Sequence, residues 1–490
     1  MSPSTGPAGR LAQFFVDRKL TPLLVVASLV LGVFAVSLPP REEEPQIVVP
    51  IVDLFVGLPG ASPTEVENRV TVPLEKRMWE IPGVEYVYAT SRSGGALVTV
   101  RFHVGDDLER SLVKVYDKLA SSLDRMPPGA TPPLIKQRTI DDVPVLGLTL
   151  WSDTRDGYGL RRIAAELRRE LSKLPDVSEV RLIGGQARRV RVSIDPDRLA
   201  SRGLDAARIV AAVQMQNATL PAGAFEESGR EVRVETGAFL TTAEDVADLV
   251  VGARDGRPIL LRDVADVVDG PGEVTDHVFF APGPAAADRG IEMSADAGVL
   301  SPAVTVTVAK RKGADAYRIV NEALAKVDAL RGALIPDDVR VTVTRDYGAT
   351  SAEKAGELLT HLMVAIVSVT FVVALFLGWR GGLVVFVSVP VTFALTLFVY
   401  YMFDYTLNRV TLFALIFVTG IVVDDSIIIV ENIVRHFQMR KLPPKQAAIA
   451  AVAEVGNPTI LATLTVIAAV LPMLFVRGLM GPYMSPMPIG

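Results

Sequence analysis

The sequence contains no cysteine and only four histidines. Without cysteine, the chain forms neither a disulfide framework nor a thiolate metal site. The histidines are scattered at His103, His277, His361 and His436, so we predict no metal site and expect no cofactor. The formal net charge of −5 is modest for 490 residues and gives no reason to expect a nucleic-acid partner.

Apolar residues make up half of the chain, but they are unevenly distributed. The middle, 39–357, is charged and punctuated by glycine and proline. Five other runs are long enough for a membrane-spanning helix, which needs roughly 17–25 apolar residues. These predicted spans are 21–38, 358–377, 383–403, 407–434 and 458–476. The first run is too long for a typical signal-peptide core and lacks a small-x-small cleavage site, so we interpret it as a retained anchor.

Basic residues in the short loops predict the orientation, because such loops face the cytoplasm. With alternating spans, the basic residues fall on one side: Arg10, Arg18, Lys19, Arg380, Arg435, Arg440, Lys441 and Lys445. The segment 1–20 is therefore predicted to be cytoplasmic and 39–357 to lie outside. A protein with six spans would turn back after the fifth, so we expect 347–490 to hold spans two to five and the start of a truncated sixth.

The outer region contains one pattern of helices and strands at least twice. Strand signals, helix signals and paired glycines predict the order β-α-β-β-α-β, which is ferredoxin-like. The joints between helix and strand also match, with Ile81-Pro82-Gly83-Val84 in the first copy and Leu174-Pro175-Asp176-Val177 in the second. The predicted units are 39–140 and 141–346, and a different segment, 186–272, is inserted in the second and divides it into 141–185 and 273–346.

Two adjacent acids, Asp424 and Asp425, interrupt the fourth apolar run. Counting at 1.5 Å per residue places them near mid-membrane, where an ionisable residue is functional by default. A low dielectric favours the protonated form of a carboxyl, and a neighbouring carboxyl favours it further. The pair is therefore predicted to load a proton on one side of the membrane and release it on the other. Glu431 and Asn432 are interpreted as boundary residues near the cytoplasmic surface.

An intramembrane aspartyl protease also uses two buried aspartates, usually on two helices that face one another. Adjacent residues diverge by about 100° around a helix, so Asp424 and Asp425 do not easily aim at one scissile bond. No other predicted span carries a central acid. The geometry therefore disfavours the protease and favours a transporter, which is not an enzyme.

Three segments resemble one known family, the resistance-nodulation-division (RND) efflux pumps. They are "LPGASPTEVEN" from Leu58, "TLNRVTLFALIFVTGIVVDDSIIIVENIVR" from Thr406, and "LPPKQAAIAAVAEVGNPTILATL" from Leu442. The chain is similar to the amino-terminal half of these pumps. The resemblance implies a helical membrane bundle with a periplasmic α+β porter region. In that region, 39–140 and the two parts of 141–346 are porter subdomains, and 186–272 is an inserted docking subdomain.

The resemblance also implies a mechanism and partners. Asp424 and Asp425 match the proton-relay acids of the family, whose partner lysine lies on a span of the second half. The proton-motive force then drives export of hydrophobic small molecules from the bacterial inner membrane. The implied assembly is a homotrimer with a periplasmic adaptor protein and an outer-membrane channel.

The resemblance leaves the substrate class open. Two acids rather than one favour the hydrophobe and multidrug branch, while lipid or heavy-metal export remains an alternative. Drug pumps often place phenylalanine where this chain has Val143 and Ile183, on strands that face the substrate pocket. The substrate pocket is therefore expected to include Val143 and Ile183.

Overall fold

The computed structural model describes residues 6–42, 45, 47–139, 142–254, 256–284, 286–287, 291 and 300–490. Within these residues, five helices are long and apolar enough to cross a membrane, and the region between the first and second of them contains mixed α/β structure with several sheets. The predicted combination of membrane helices and an α/β region is therefore confirmed. The predicted boundary at 140–141 lies outside the described residues, and the other domain boundaries stay predictions.

The described elements are named in chain order. The helices are α1 (Pro7–Val16), α2 (Leu20–Ser37), α3 (Pro63–Val66), α4 (Val72–Trp79), α5 (Leu108–Ala120), α6 (Gly157–Leu171), α7 (Pro196–Ser201), α8 (Ala206–Gln216), α9 (Ala243–Ala247), α10 (Ala316–Ala329), α11 (Tyr347–Leu377), α12 (Trp379–Met402), α13 (Arg409–Met439), α14 (Pro444–Val470), α15 (Met480–Met484) and α16 (Pro486–Ile489). The strands are β1 (Ile51–Gly57), β2 (Val84–Arg92), β3 (Gly95–Phe102), β4 (Leu134–Arg138), β5 (Pro144–Trp151), β6 (Val177–Ile183), β7 (Arg188–Ile194), β8 (Leu220–Glu227), β9 (Arg230–Thr236), β10 (Val250–Arg254), β11 (Arg257–Leu260), β12 (Ala265–Pro271), β13 (Phe279–Phe280), β14 (Ser301–Lys310) and β15 (Arg340–Asp346).

The five long apolar helices are α2, α11, α12, α13 and α14, the last continuing as a 3₁₀ turn to Phe475. Small residues allow α2 to lie close to α12, since a Cβ on Gly32 would come within 2.4 Å of the Ala394 Cβ. α11 begins eleven residues before its predicted span. It does so because the Asp346 side chain accepts a hydrogen bond from the backbone N–H of Ala349 at 2.7 Å and caps the helix outside the apolar run.

Helix α1 was not expected from the sequence, and it packs against α14. A Cβ on Gly456 would lie 2.6 Å from the Ala8 Cβ, and the backbone N–H of Ala8 donates to Oδ1 of Asn457 at 3.3 Å. An ion pair between Lys445 and Asp17 joins the first turn of α14 to the residue that follows α1. The amino-terminal segment and the α13–α14 loop are thus on the same side, as the basic residues predicted.

The first sheet is antiparallel and has the order β2-β3-β1-β4. Alternation along β1 directs Val52, Leu54 and Val56 into a core with α4 and α5. Asp53 lies between them, is 2% exposed, and accepts a hydrogen bond from the Thr99 hydroxyl at 2.6 Å. Arg138 of β4 pairs with the same carboxylate, so the charge buried in this sheet is compensated.

The second sheet has β5 between β14 and β15, and β14 also pairs with β6 and β13. One face of β5 presents Leu146, Leu148 and Leu150 to helices α6 and α10, which cover that side of the sheet. The sequence predicted a pair of strands around Gly184-Gly185, and two strands do flank these glycines. They do not form a hairpin, however, because β6 pairs with β14 whereas β7 pairs with β12 of the inserted segment.

The inserted segment has its own small core and three two-stranded ribbons among its described residues, β7–β12, β8–β9 and β10–β11. Its core includes Leu199, Ile209, Val251 and Leu261, all buried. The β8–β9 ribbon contributes nothing to that core, since every residue of both strands is exposed. This ribbon is therefore an outward projection of the chain described here.

Candidate functional site

The two aspartates lie near the midpoint of α13, which contains 31 residues. The helix begins after Asn408, whose side-chain oxygen accepts hydrogen bonds from the N–H groups of Val410 and Thr411 at 2.9 and 3.1 Å. Fourteen to sixteen residues separate the acids from either helix end, which is about 21–24 Å at 1.5 Å per residue. Within a hydrocarbon core about 30 Å thick, both acids lie deep.

Asp425 faces helix α14 and has a hydrogen-bond donor there. The hydroxyl of Thr463 lies 2.7 Å from Oδ2 of Asp425, and the same hydroxyl lies 2.9 Å from the carbonyl oxygen of Thr459. One hydroxyl proton therefore has two acceptors. The half-buried carboxylate borders a cavity of about 430 Å³ that is lined by α1, α13 and α14. Most of this lining is apolar, so Thr463 is the main polar contact of Asp425.

Asp424 points in a different direction, since neighbouring residues diverge by about 100° around a helix. It is exposed in this chain, whereas Asp425 is half-buried. The next residue, Ser426, joins α13 to α12 through a 3.2 Å hydrogen bond with Ser388. Among the described residues, neither carboxylate forms an ion pair or meets two further acidic or histidine side chains in a potential metal site. Because the Asp424 and Asp425 side chains point in different directions, the structure gives no support to an intramembrane aspartyl protease, whose two aspartates face one another.

A second set of polar contacts joins α13 to α14 near the carboxyl end of α13. Asn432 is only 5% exposed, and its Nδ2 donates to the carbonyl oxygen of Ala451 at 2.9 Å. Glu454 of α14 contacts Arg435 at 2.6 Å and His436 at 2.7 Å. Asn432 therefore contributes a contact between the two helices, which the sequence did not predict, and its interpretation as a boundary residue near the cytoplasmic surface stays a prediction.

The structure leaves Val143 and Ile183 exposed but does not bring them together. Ile183 lies opposite Thr305 on β14, whereas Pro144, next to Val143, lies opposite Ala309. Four residues along a strand span about 13 Å. Because β5 and β6 lie on opposite sides of β14, two strand spacings of about 4.8 Å each also separate the residues across the sheet, and a ligand would need to span roughly 16 Å to contact both side chains.

A row of threonines lies on the same sheet, and sequence reasoning did not find it. The Thr149 hydroxyl lies 3.0 Å from that of Thr305 and 3.1 Å from that of Thr344. Thr342 accepts a hydrogen bond from Trp151 Nε1 at 3.0 Å. The sequence signal that could have revealed this row is the alternation of threonines in "SPAVTVTVAK" and "RVTVTRD". The face of the sheet away from α6 and α10 therefore offers hydroxyl groups beside Ile183.

The sequence profile described as the AcrB/AcrD/AcrF family matches residues 11–490. The chain therefore belongs to this family of RND efflux transporters. Membership explains the joint presence of apolar helices and a large α/β region between the first two of them.

Curated relatives include the "Multidrug resistance protein MdtC" of Yersinia pestis bv. Antiqua (strain Angola), Yersinia enterocolitica (strain NCTC 13174 / 8081) and Yersinia pseudotuberculosis (strain YPIII). This chain is 29% identical to each of them over 471 residues, which is 95% of this chain and 44% of the relative. The chain thus spans less than half the length of these relatives.

Proposed function

We propose that this chain is part of a proton-driven efflux transporter in which Asp424 and Asp425 bind and release the protons. The observation that carries the proposal is the adjacent pair of carboxylates near the middle of α13, in a member of an efflux family. An aspartate at the centre of a spanning helix costs about 2.5–3.5 kcal/mol on insertion scales. A chain that keeps two of them there uses them for a purpose that apolar residues cannot serve.

Thr463 gives Asp425 two local states. When Asp425 is ionised, the Thr463 hydroxyl donates to it across 2.7 Å. When Asp425 is protonated, it needs no donor, and the hydroxyl turns to the carbonyl oxygen of Thr459. Proton binding thus changes the contact between α13 and α14, and a ligand shifts an equilibrium only when it favours one of two states.

The ionised state also needs a positive charge near the pair, because an unpaired buried charge is costly. Neither carboxylate forms an ion pair with the described residues. We propose that the lysine implied by the family resemblance supplies this charge from the part of the transporter that corresponds to the remaining length of the MdtC relatives. Release of the protons then restores the ionised, lysine-paired state.

The proposed cargo is a hydrophobic or amphiphilic small molecule. The relatives are named as multidrug resistance proteins, which supports this class. The second sheet, with exposed Val143 and Ile183 beside the threonine row, is the proposed contact surface for it. Heavy-metal and lipid export are the alternatives, and a substrate profile distinguishes them.

The proposed setting is the bacterial inner membrane, with 39–357 in the periplasm. There the α/β region forms ferredoxin-like porter subdomains and an inserted docking subdomain. The proposed assembly is a homotrimer with a periplasmic adaptor protein and an outer-membrane channel. The exposed β8–β9 ribbon supports a contact between subunits, because it has no packing partner within the described residues of its own chain.

The test is export by cells that produce the full-length transporter containing this chain. Asp424→Asn and Asp425→Asn should each abolish export of a hydrophobic dye without reducing the amount of protein in the membrane. Glu431→Gln is the matched control, because Glu431 is an exposed acid of the same helix, and it should export like the parent. Export by both aspartate variants at the parental rate would rule out the proposed relay.

A further inference from the structure

A buried pair of opposite charges lies where the outer region meets the membrane helices. Nζ of Lys310 is 2.5 Å from Oε1 of Glu42, and the two residues are 8% and 4% exposed. Lysine and glutamate are almost never this buried unless they are paired. Lys310 is the last residue of β14, and Glu42 follows the end of α2 by five residues. The pair therefore joins a strand of the second sheet to the segment that leaves the first membrane helix.

Glu42 is also joined to helix α13 through the backbone. Its N–H donates to the carbonyl oxygen of Leu407 at 3.1 Å, and the N–H of Leu407 donates to the carbonyl oxygen of Pro40 at 3.0 Å. Leu407 immediately precedes Asn408, the buried residue that caps α13. A displacement of this end of α13 therefore moves Glu42 with it.

Lys310, the other member of the pair, belongs to the second sheet, and helix α10 covers this sheet close by. β14 pairs with β5 and β6 and is central to the sheet. A hydrogen bond lies beside the ion pair. In it, Oδ2 of Asp315 accepts from the backbone N–H of Arg41 at 3.1 Å. Oδ1 of Asp315 caps α10 by accepting the N–H of Arg318 at 2.9 Å. The segment 40–42 thus contacts both β14 and α10.

We propose that the Glu42–Lys310 pair is the coupling element through which a change in α13 reaches β14. The proposal rests on the proposed function, since α13 responds only if Asp424 and Asp425 change their charge. An apolar contact lets two surfaces slide past one another, whereas separating this pair would leave two buried charges uncompensated. Glu42 and Lys310 are accordingly positioning residues, which touch neither the protons nor the cargo.

Hydrogen–deuterium exchange on the purified full-length transporter that contains this chain, in lipid nanodiscs, tests the proposal at one constant pH. The double variant Asp424→Asn/Asp425→Asn imitates the protonated pair. In the parent background, this double change should alter exchange in α13 and also in β14 and α10. With Glu42→Gln added, the response in α13 should remain and the response in β14 should be lost, while α10 keeps its separate contact between Asp315 and the backbone of Arg41.

Two controls separate coupling from local unfolding. Asp338→Asn breaks the exposed Arg155–Asp338 pair on the same α/β unit and should leave the response intact. The reversed pair Glu42→Lys/Lys310→Glu should restore the response that Glu42→Gln removes. A response in β14 that persists in Glu42→Gln would overturn the proposal. A parental response confined to α13 would overturn the coupling alone, whereas no response even in α13 would contradict the proton relay and the coupling together.

Discussion

Removing the cation of the Glu42–Lys310 pair should destabilise the chain strongly. In Lys310→Met, the Glu42 carboxylate stays 4% exposed but loses the ammonium group 2.5 Å away. Breaking a buried ion pair by removing one partner typically costs about 3–5 kcal/mol. Replacing both members with apolar residues is often neutral, so Glu42→Leu/Lys310→Met should recover most of the loss.

The loss of folding stability in Lys310→Met should also depend on pH and should grow as the pH rises. Burial raises the pKa of Glu42 above its ordinary value, and Lys310 partly opposes that rise. In Lys310→Met, the opposition is gone and the pKa rises further. A carboxyl whose folded pKa exceeds its unfolded pKa binds the proton more readily in the folded state, so stability is lost as pH rises through the folded value. The destabilisation should therefore be small in acid and grow toward neutral pH.

The assay is thermal and denaturant unfolding in detergent at several pH values, followed by a fluorescent probe on a cysteine introduced into β14. Asp338→Asn is the control, because its exposed ion pair should matter far less. If Lys310→Met unfolded like the parent at neutral pH, or if its loss of stability were independent of pH, the burial argument would be refuted.

Three further outcomes are expected. Thr463→Val should lower proton-driven export by about tenfold or more, because a hydrogen bond to a charged group contributes about 1.5–3 kcal/mol; Thr463→Ser should retain most of the export, and equal rates for the two would contradict the role of the hydroxyl. A cysteine at Ser228 should react with an impermeant thiol reagent added outside the inner membrane and one at Gln438 should not, a test made simple by the absence of native cysteine; the opposite labelling pattern would invert the topology. Ile183→Phe should change the range of exported hydrophobes, while Val113→Phe, at an exposed position of α5, should not; the same profile for both would remove Ile183 from the contact surface.

The membrane helices were predictable because their signal is local. A run of apolar residues long enough to cross the bilayer needs no knowledge of its neighbours, and all five runs are helical. Their ends were less predictable, since they depend on single capping side chains. Asp346 starts α11 well before the apolar run, and α1 is held by contacts with α14 that lie more than 400 residues away in sequence.

The acid pair was visible in the sequence for the same local reason, but its surroundings were not. Thr463 is one of many hydroxyl residues in apolar runs, and only the packing of α14 against α13 brings it to Asp425. The contact of Asn432 with the carbonyl oxygen of Ala451 likewise depends on the packing of α14 and has no signal in the sequence. The Glu42–Lys310 pair joins residues 268 positions apart, a contact that no spacing rule identifies.

The central claim is that Asp424 and Asp425 bind and release protons as the cargo is exported. Substrate-induced proton flux measures this most directly, in liposomes that contain the full-length transporter and a trapped pH-sensitive dye. The parent and Glu431→Gln should both move protons when a hydrophobic substrate is added, whereas Asp424→Asn and Asp425→Asn should move none. Parental proton flux in the two aspartate variants would contradict the claim.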